Sequence, residues 1–82
     1  MQRGDVVLAT AGKDKGKTFI LMEVGDKVVW IADGRRRKVQ RPKAKSHKHI
    51  SLLRVGTPDF TPTNKVILKL LRPYTNNFKE ES

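Results

Sequence analysis

Three runs of branched and aromatic residues, each stopped at a glycine, fill the first part of this chain. Asp5–Thr10 is closed by Ala11-Gly12, Thr18–Val24 by Gly25-Asp26, and Lys27–Ala32 by Asp33-Gly34. β-branched side chains suit an extended backbone, and Gly-Asp or Asp-Gly pairs suit tight chain reversals. Runs this short, at this spacing, predict antiparallel strands joined by hairpins. Arg37–Arg41 reads as a fourth strand, basic and at an edge, with Pro42 stopping its pairing. Ile50–Val55 reads as a fifth. Five strands within about 55 residues predict an all-β fold, a small antiparallel barrel whose closure removes exposed edges.

Beyond residue 56 the pattern changes. Gly56–Pro62 is broken by Pro58 and Pro62 and reads as a linker over 57–62. Thr63 can cap a short C-terminal helix over 63–73, with Val66, Ile67, Leu70 and Leu71 on one face. Pro73 is expected to end it, leaving 74–82 as a polar, mobile tail. A helix this short does not stand alone in water, so it is expected to pack on the barrel over 1–56 or on a partner.

Several function classes are excluded early. With 82 residues and no cysteine the chain makes one small domain, without disulfides, thiolate metal sites or a cysteine nucleophile. That composition fits a reducing compartment, and the expectation is cytoplasmic. The longest apolar run, Val28–Ala32, is five residues, too short to cross a bilayer. The first residues also lack the apolar stretch of a signal peptide.

Charge says more than size. Between Arg35 and Lys48 lie Arg35, Arg36, Arg37, Lys38, Arg41, Lys43, Lys45 and Lys48, with no acid among them. The remainder of the chain is close to balanced, although the total reaches +10. A single-sign block repels itself unless a polyanion neutralises it. A flexible basic loop or an import signal is the plainer alternative. A membrane surface fits less well, because Pro42, Ala44, Ser46 and His47 separate the cations where an interfacial helix would place bulky apolar residues.

A second basic element is Ala11-Gly12-Lys13-Asp14-Lys15-Gly16-Lys17-Thr18. It imitates a phosphate-binding loop, but that motif works by starting a helix at its lysine. Here Phe19-Ile20-Leu21-Met22 follows, which is a strand, so nucleotide hydrolysis is rejected. The same residues read better otherwise. Gly4-Asp5 opening a strand, the 11–17 segment, and an apolar strand ending at Val24 resemble the KOW motif, with Gly16 as its central glycine. That motif occurs in ribosomal large-subunit proteins and in NusG-type transcription elongation factors. Val28–Gly34, Arg36-Arg37-Lys38-Val39, and His49-Ile50 before Leu52-Leu53 look similar to ribosomal proteins of the fourteen-e type and to the broader six-e and twenty-seven-e group, including short bacterial KOW-domain RNA-binding proteins. The resemblance covers residues 4 to about 55. It implies a five-stranded SH3-like barrel that binds RNA.

Candidate RNA-binding residues are therefore Lys13, Lys15 and Lys17 on the loop, with Arg35, Arg36, Arg37, Lys38, Arg41, Lys43, Lys45 and Lys48. Asp14 is expected to cap its own loop backbone. Phe19, Trp30, Phe60, Tyr74 and Phe78 are too few for a base-stacking platform, which favours structured RNA over single strands. Phe19 is expected in the core, while Trp30 fits either the core or a partly exposed contact. His47 and His49 lack a third metal ligand and have lysines beside them, so neither metal nor cofactor is expected. The acids are scattered, and no nucleophile–base set can be assembled. The expectation is a non-catalytic RNA-binding protein of the translation machinery, monomeric when free, with ribosomal RNA and possibly ribosomal proteins as partners. The alternative is a protein-interaction barrel of the transcription-elongation type, docking on polymerase or a ribosomal protein through an exposed apolar patch.

Overall fold

A computed structural model describes the backbone of residues 1–81 and the side chains of residues 1–74. Five strands are present: β1 (Val6–Ala9), β2 (Thr18–Val24), β3 (Val28–Ala32), β4 (Lys43–Ser46) and β5 (Ile50–Arg54). One helix, α1 (Asn64–Glu81), follows. The strands form a single antiparallel sheet in the order β4-β3-β2-β1-β5. Among the described residues no ladder joins β4 to β5, so the sheet is not closed by strand pairing. The residues after Lys17 form β2, not a helix, as their apolar run requires.

β2 is central and buried on both faces. Phe19 and Leu21 join Val7, Ala9, Val29, Ile31 and Ile50 in one core. Ile20 points the other way and joins Val6 with Ile67 and Leu71 of α1, flanked by Met22, Val39, Phe60 and Tyr74. This second core explains the helix. Thr63 Oγ1 accepts a hydrogen bond from the Val66 amide at 3.2 Å, as its position before the helix predicts. Asn64 then ties the helix start to the sheet side: its Oδ1 accepts from the Val39 amide and its Nδ2 donates to Gln40 Oε1. Burying Ile67 and Leu71 contributes about 1.5–3 kcal/mol each, which an isolated helix of this length lacks.

Three expectations are corrected. The fourth strand is Lys43–Ser46, after Pro42 rather than before it. Residues 37–41 turn instead, because their backbone groups are satisfied locally. The Asp33 carboxylate accepts from the Arg35 and Arg37 amides, and the Arg37 carbonyl accepts from the Asp33 and Gly34 amides. Second, α1 runs through Pro73 to Glu81, so 74–81 is helical and not an unstructured tail; Ser82 lies outside the described residues. Pro73 and Lys69 are both exposed, so water can take the carbonyl that the proline leaves without an N–H. Third, the buried stripe is Ile67, Leu71 and Tyr74, whereas Leu70 stands 41% exposed and Val66 is half-buried. The 57–62 linker is held in place. The Arg3 guanidinium donates to the Pro58 carbonyl and lies over the Phe60 ring. Trp30, which fitted two readings, is 36% exposed.

Gly16 and Gly34 both have positive φ, at +88° and +81°. Gly16 has open space where a Cβ would stand, so strain alone opposes a side chain there. At Gly34 a Cβ would lie 2.7 Å from the Asn64 carbonyl oxygen and 3.0 Å from Leu68 Cγ. Gly16→Ala is expected to cost about 1–2 kcal/mol. Gly34→Ala should cost about 3 kcal/mol or more, because it also pushes α1 off the sheet. Urea denaturation of the two variants checks the order; equal losses would show that α1 does not sit on Gly34.

Candidate nucleic-acid interface

The 12–17 loop is a fixed structure. The Gly16 amide donates to the Ala9 carbonyl, the Ala9 amide to Lys17, the Lys17 amide to Asp14, and the Lys15 amide to Gly12. These bonds turn the backbone so that Lys13, Lys15 and Lys17 are all exposed while Asp14, between them, is 6% exposed. Asp14 does not cap the loop with its side chain as expected. Its carboxylate reaches across to the basic block.

There Asp14 Oδ2 accepts from Lys43 Nζ at 2.7 Å, with Lys45 Nζ at 3.9 Å and Arg37 Nη2 at 3.8 Å. The hydrogen bond from Lys43 holds the Asp14 carboxyl below its usual range, helped by the charges of Lys43, Arg37 and Lys45 and opposed by burial. Long cationic side chains, rather than the apolar core, shield it, so hydrogen bonding and charge outweigh desolvation. Lys45 is itself buried, and its ammonium also donates to the Ala11 carbonyl at 3.0 Å. The acid-free block is thus compensated by an acid from the other basic segment.

The eleven candidate residues therefore divide. Arg37, Lys43 and Lys45 are drawn inward around Asp14, and Lys45 in particular belongs to the fold. Lys13, Lys15, Lys17, Arg35, Arg36, Lys38, Arg41 and Lys48 are exposed. Their segments are held against one another. Asp14 links the loop to β4 and to the 33–41 turn. The Thr10 amide donates to the His49 carbonyl, which brings the 3-10 turn His47–His49 to the loop's entrance. His47 Nε2 donates to the Gly25 carbonyl at 2.8 Å, so that nitrogen is engaged in the fold.

One concave feature adjoins this face. A groove of about 460 Å³ is lined by Lys15, Lys17, Thr18, Arg35, Leu68 and Arg72, among others. The contributions of Leu68 and Arg72 were invisible in the sequence, since about 50 residues separate them from the loop and no local pattern marks the meeting. Compared with known proteins, the chain matches no family model and no curated sequence.

Asp14→Asn is expected to destabilise the fold by about 1–3 kcal/mol at neutral pH, since three cations lose their shared negative charge and keep only a neutral acceptor. The lowered pKa sets the sign. The Asp14 contribution is fully present above the ordinary carboxylate value and is lost as pH falls through the lowered folded value. The difference between wild type and variant should therefore shrink below about pH 4. A gap that stays constant from pH 6 to pH 3 in chemical denaturation would remove Asp14 from this role.

Proposed function

We propose that this chain is a non-catalytic RNA-binding protein of the translation machinery, contacting structured, ribosomal RNA through the face that carries the 12–17 loop and the 33–48 segment. The observation that carries the reading is the Asp14 junction. It gathers two basic segments into one surface while leaving eight cations exposed. Duplex RNA offers a phosphate rim and a shallow minor groove, which charge and shape can recognise without stacking aromatics. Arginines at 35, 36 and 41 add forked contacts to phosphate oxygens, and the lysines act as point charges.

The KOW resemblance belongs to this reading, and so does an SH3-like barrel. A flat sheet of five strands would place β4 and β5 about 19 Å apart. The chain passes from Ser46 to Ile50 through one 3-10 turn, and four Cα steps span at most about 14 Å. The sheet must curl for that link to fit, which supports a barrel. Cytoplasmic location and a monomeric free state are part of the same proposal; among the described residues no helix is long and apolar enough to cross a membrane.

A second reading has its own support. Leu52, Leu53 and Val55 are 42%, 44% and 65% exposed, on or just beyond an end strand of the sheet. That patch suits protein docking, on polymerase or a ribosomal protein, of the transcription-elongation type.

If the exposed cations neutralise five to eight phosphates, log affinity for a structured RNA should fall with log salt at a slope of about −4 to −7. Replacing Arg35, Arg36 and Lys38 by Ala should weaken binding more than replacing Lys13, Lys15 and Lys17, because arginine offers paired contacts. Each set should flatten the slope by up to about three units. Arg37 is left intact because it contacts Asp14. A slope near zero in filter binding would sink the RNA reading and favour the Leu52–Val55 surface.

A further inference from the structure

The groove beside the basic face is built differently from the face itself. Its rim carries Lys15, Lys17, Arg35 and Arg72, and α1 contributes Leu68 and Leu71. A duplex surface needs only the rim, since phosphates bind to exposed cations and gain nothing from leucines. An apolar floor ringed by cations fits a ligand with an anionic end and a flat, weakly polar body. At about 460 Å³ the groove falls in the range of roughly 300–1,000 Å³ typical of clefts for small organic ligands.

Thr18 adds a third observation. It is 7% exposed, lines the same groove, and its Oγ1 has no hydrogen-bond partner. Buried hydroxyls are rarely left so, and a turn of χ1 toward the groove would bring this one, now closed to solvent, to the polar edge of a base. Asp33, the acid on the groove wall, is already occupied, its Oδ1 accepting from the Arg35 and Arg37 amides.

We infer that the groove between the 15–18 segment, the 33–35 turn and α1 takes one unstacked nucleotide of the bound RNA, its base over Leu68 and its phosphate between Lys15, Lys17 and Arg35. The inference rests on the RNA-binding reading and adds a shape preference to it: a helix with an extrahelical nucleotide over a continuous one. Charge complementarity and continuity with the exposed lysines of the loop select a nucleotide of the RNA over an unrelated anion. The unpaired base has no stacking to lose, so seating it against apolar side chains costs little.

The test compares a fully paired RNA hairpin with the same hairpin carrying one bulged 2-aminopurine. The full chain should bind the bulged RNA about tenfold more tightly, the effect of roughly one seated base. Binding should also protect the 2-aminopurine from acrylamide quenching, and the methyl resonances of Thr18 and Leu68 should shift with the bulged RNA alone. Leu68→Gln should bring the affinity ratio toward one. Should that variant fail to fold, quenching and methyl shifts on the native chain decide the matter. Equal affinities and an unprotected probe, with the salt slope intact, would overturn the nucleotide site and leave the RNA reading standing. Absence of binding to both hairpins would overturn both. Equal affinity for the two hairpins, with free adenosine monophosphate shifting the Thr18 and Leu68 methyls, would assign the site to a mononucleotide instead and overturn the RNA-embedded form.

Discussion

Ile20 and Phe19 are neighbours on β2, point to opposite sides, and are both fully buried. A strand with apolar side chains on both faces must be covered twice. The curled sheet covers one side with Val7, Val29, Ile31 and Ile50. Val6, Met22 and Val39 cover the other in part, and residues beyond 56 complete it. That need accounts for the rest of the chain. The 57–62 segment is pinned by Arg3 so that Phe60 reaches the second core, and α1 lays Ile67 and Leu71 over Ile20. The position of α1 follows, including its close passage over Gly34. The groove therefore follows from packing: the residue stripe that buries Ile20 also brings Leu68 and Arg72 beside the loop.

Charge poses the opposite problem. Two like charges about 4 Å apart repel by about 4 kcal/mol at an effective dielectric near 20. Arg37, Lys43 and Lys45 converge within hydrogen-bonding or ion-pair distance of one oxygen, an arrangement that a buried carboxylate makes tolerable. Arg37 Nε still lacks a partner, so the cluster holds together mainly through Lys43. Asp33 works on the backbone instead, fixing the turn that carries Arg35 and Arg36 outward. Two acids thus determine which cations face solvent.

Much of the sheet was legible because its signals are local. Branched residues and glycine turns marked four of five strands to within a residue or so. Arg37–Arg41 looked extended, but Asp33 and Lys38 take the Arg37 and Arg41 amides locally, and distant Asn64 takes that of Val39. Lys43–Ser46 is a strand although its composition argues otherwise, because pairing with Val28–Ile31 outweighs weak intrinsic preference. Pro73 lies inside α1 where the one carbonyl it leaves unpaired, that of Lys69, is on an exposed face. The Asp14 link joins residues about 30 apart, and sequence offered a count of charges without their pairing.

The exposed cations raise a question about the free protein. Eight of them share one region with few acids, which weakens the compact state through mutual repulsion. On the RNA-binding reading proposed above, a polyanion relieves that repulsion best in the folded form, where the segments are already assembled. On that reading binding is linked to folding, and stability rises by the difference in affinity between the folded and the unfolded chain. The loop's internal hydrogen bonds and the Asp14 junction limit the ordering cost that flexible basic tails incur on binding. A fixed arrangement of charge can also discriminate where a flexible one cannot. On the proposed reading it would match phosphates at one spacing and leave others unpaired, so selectivity for RNA shape would arise without contact to a base edge.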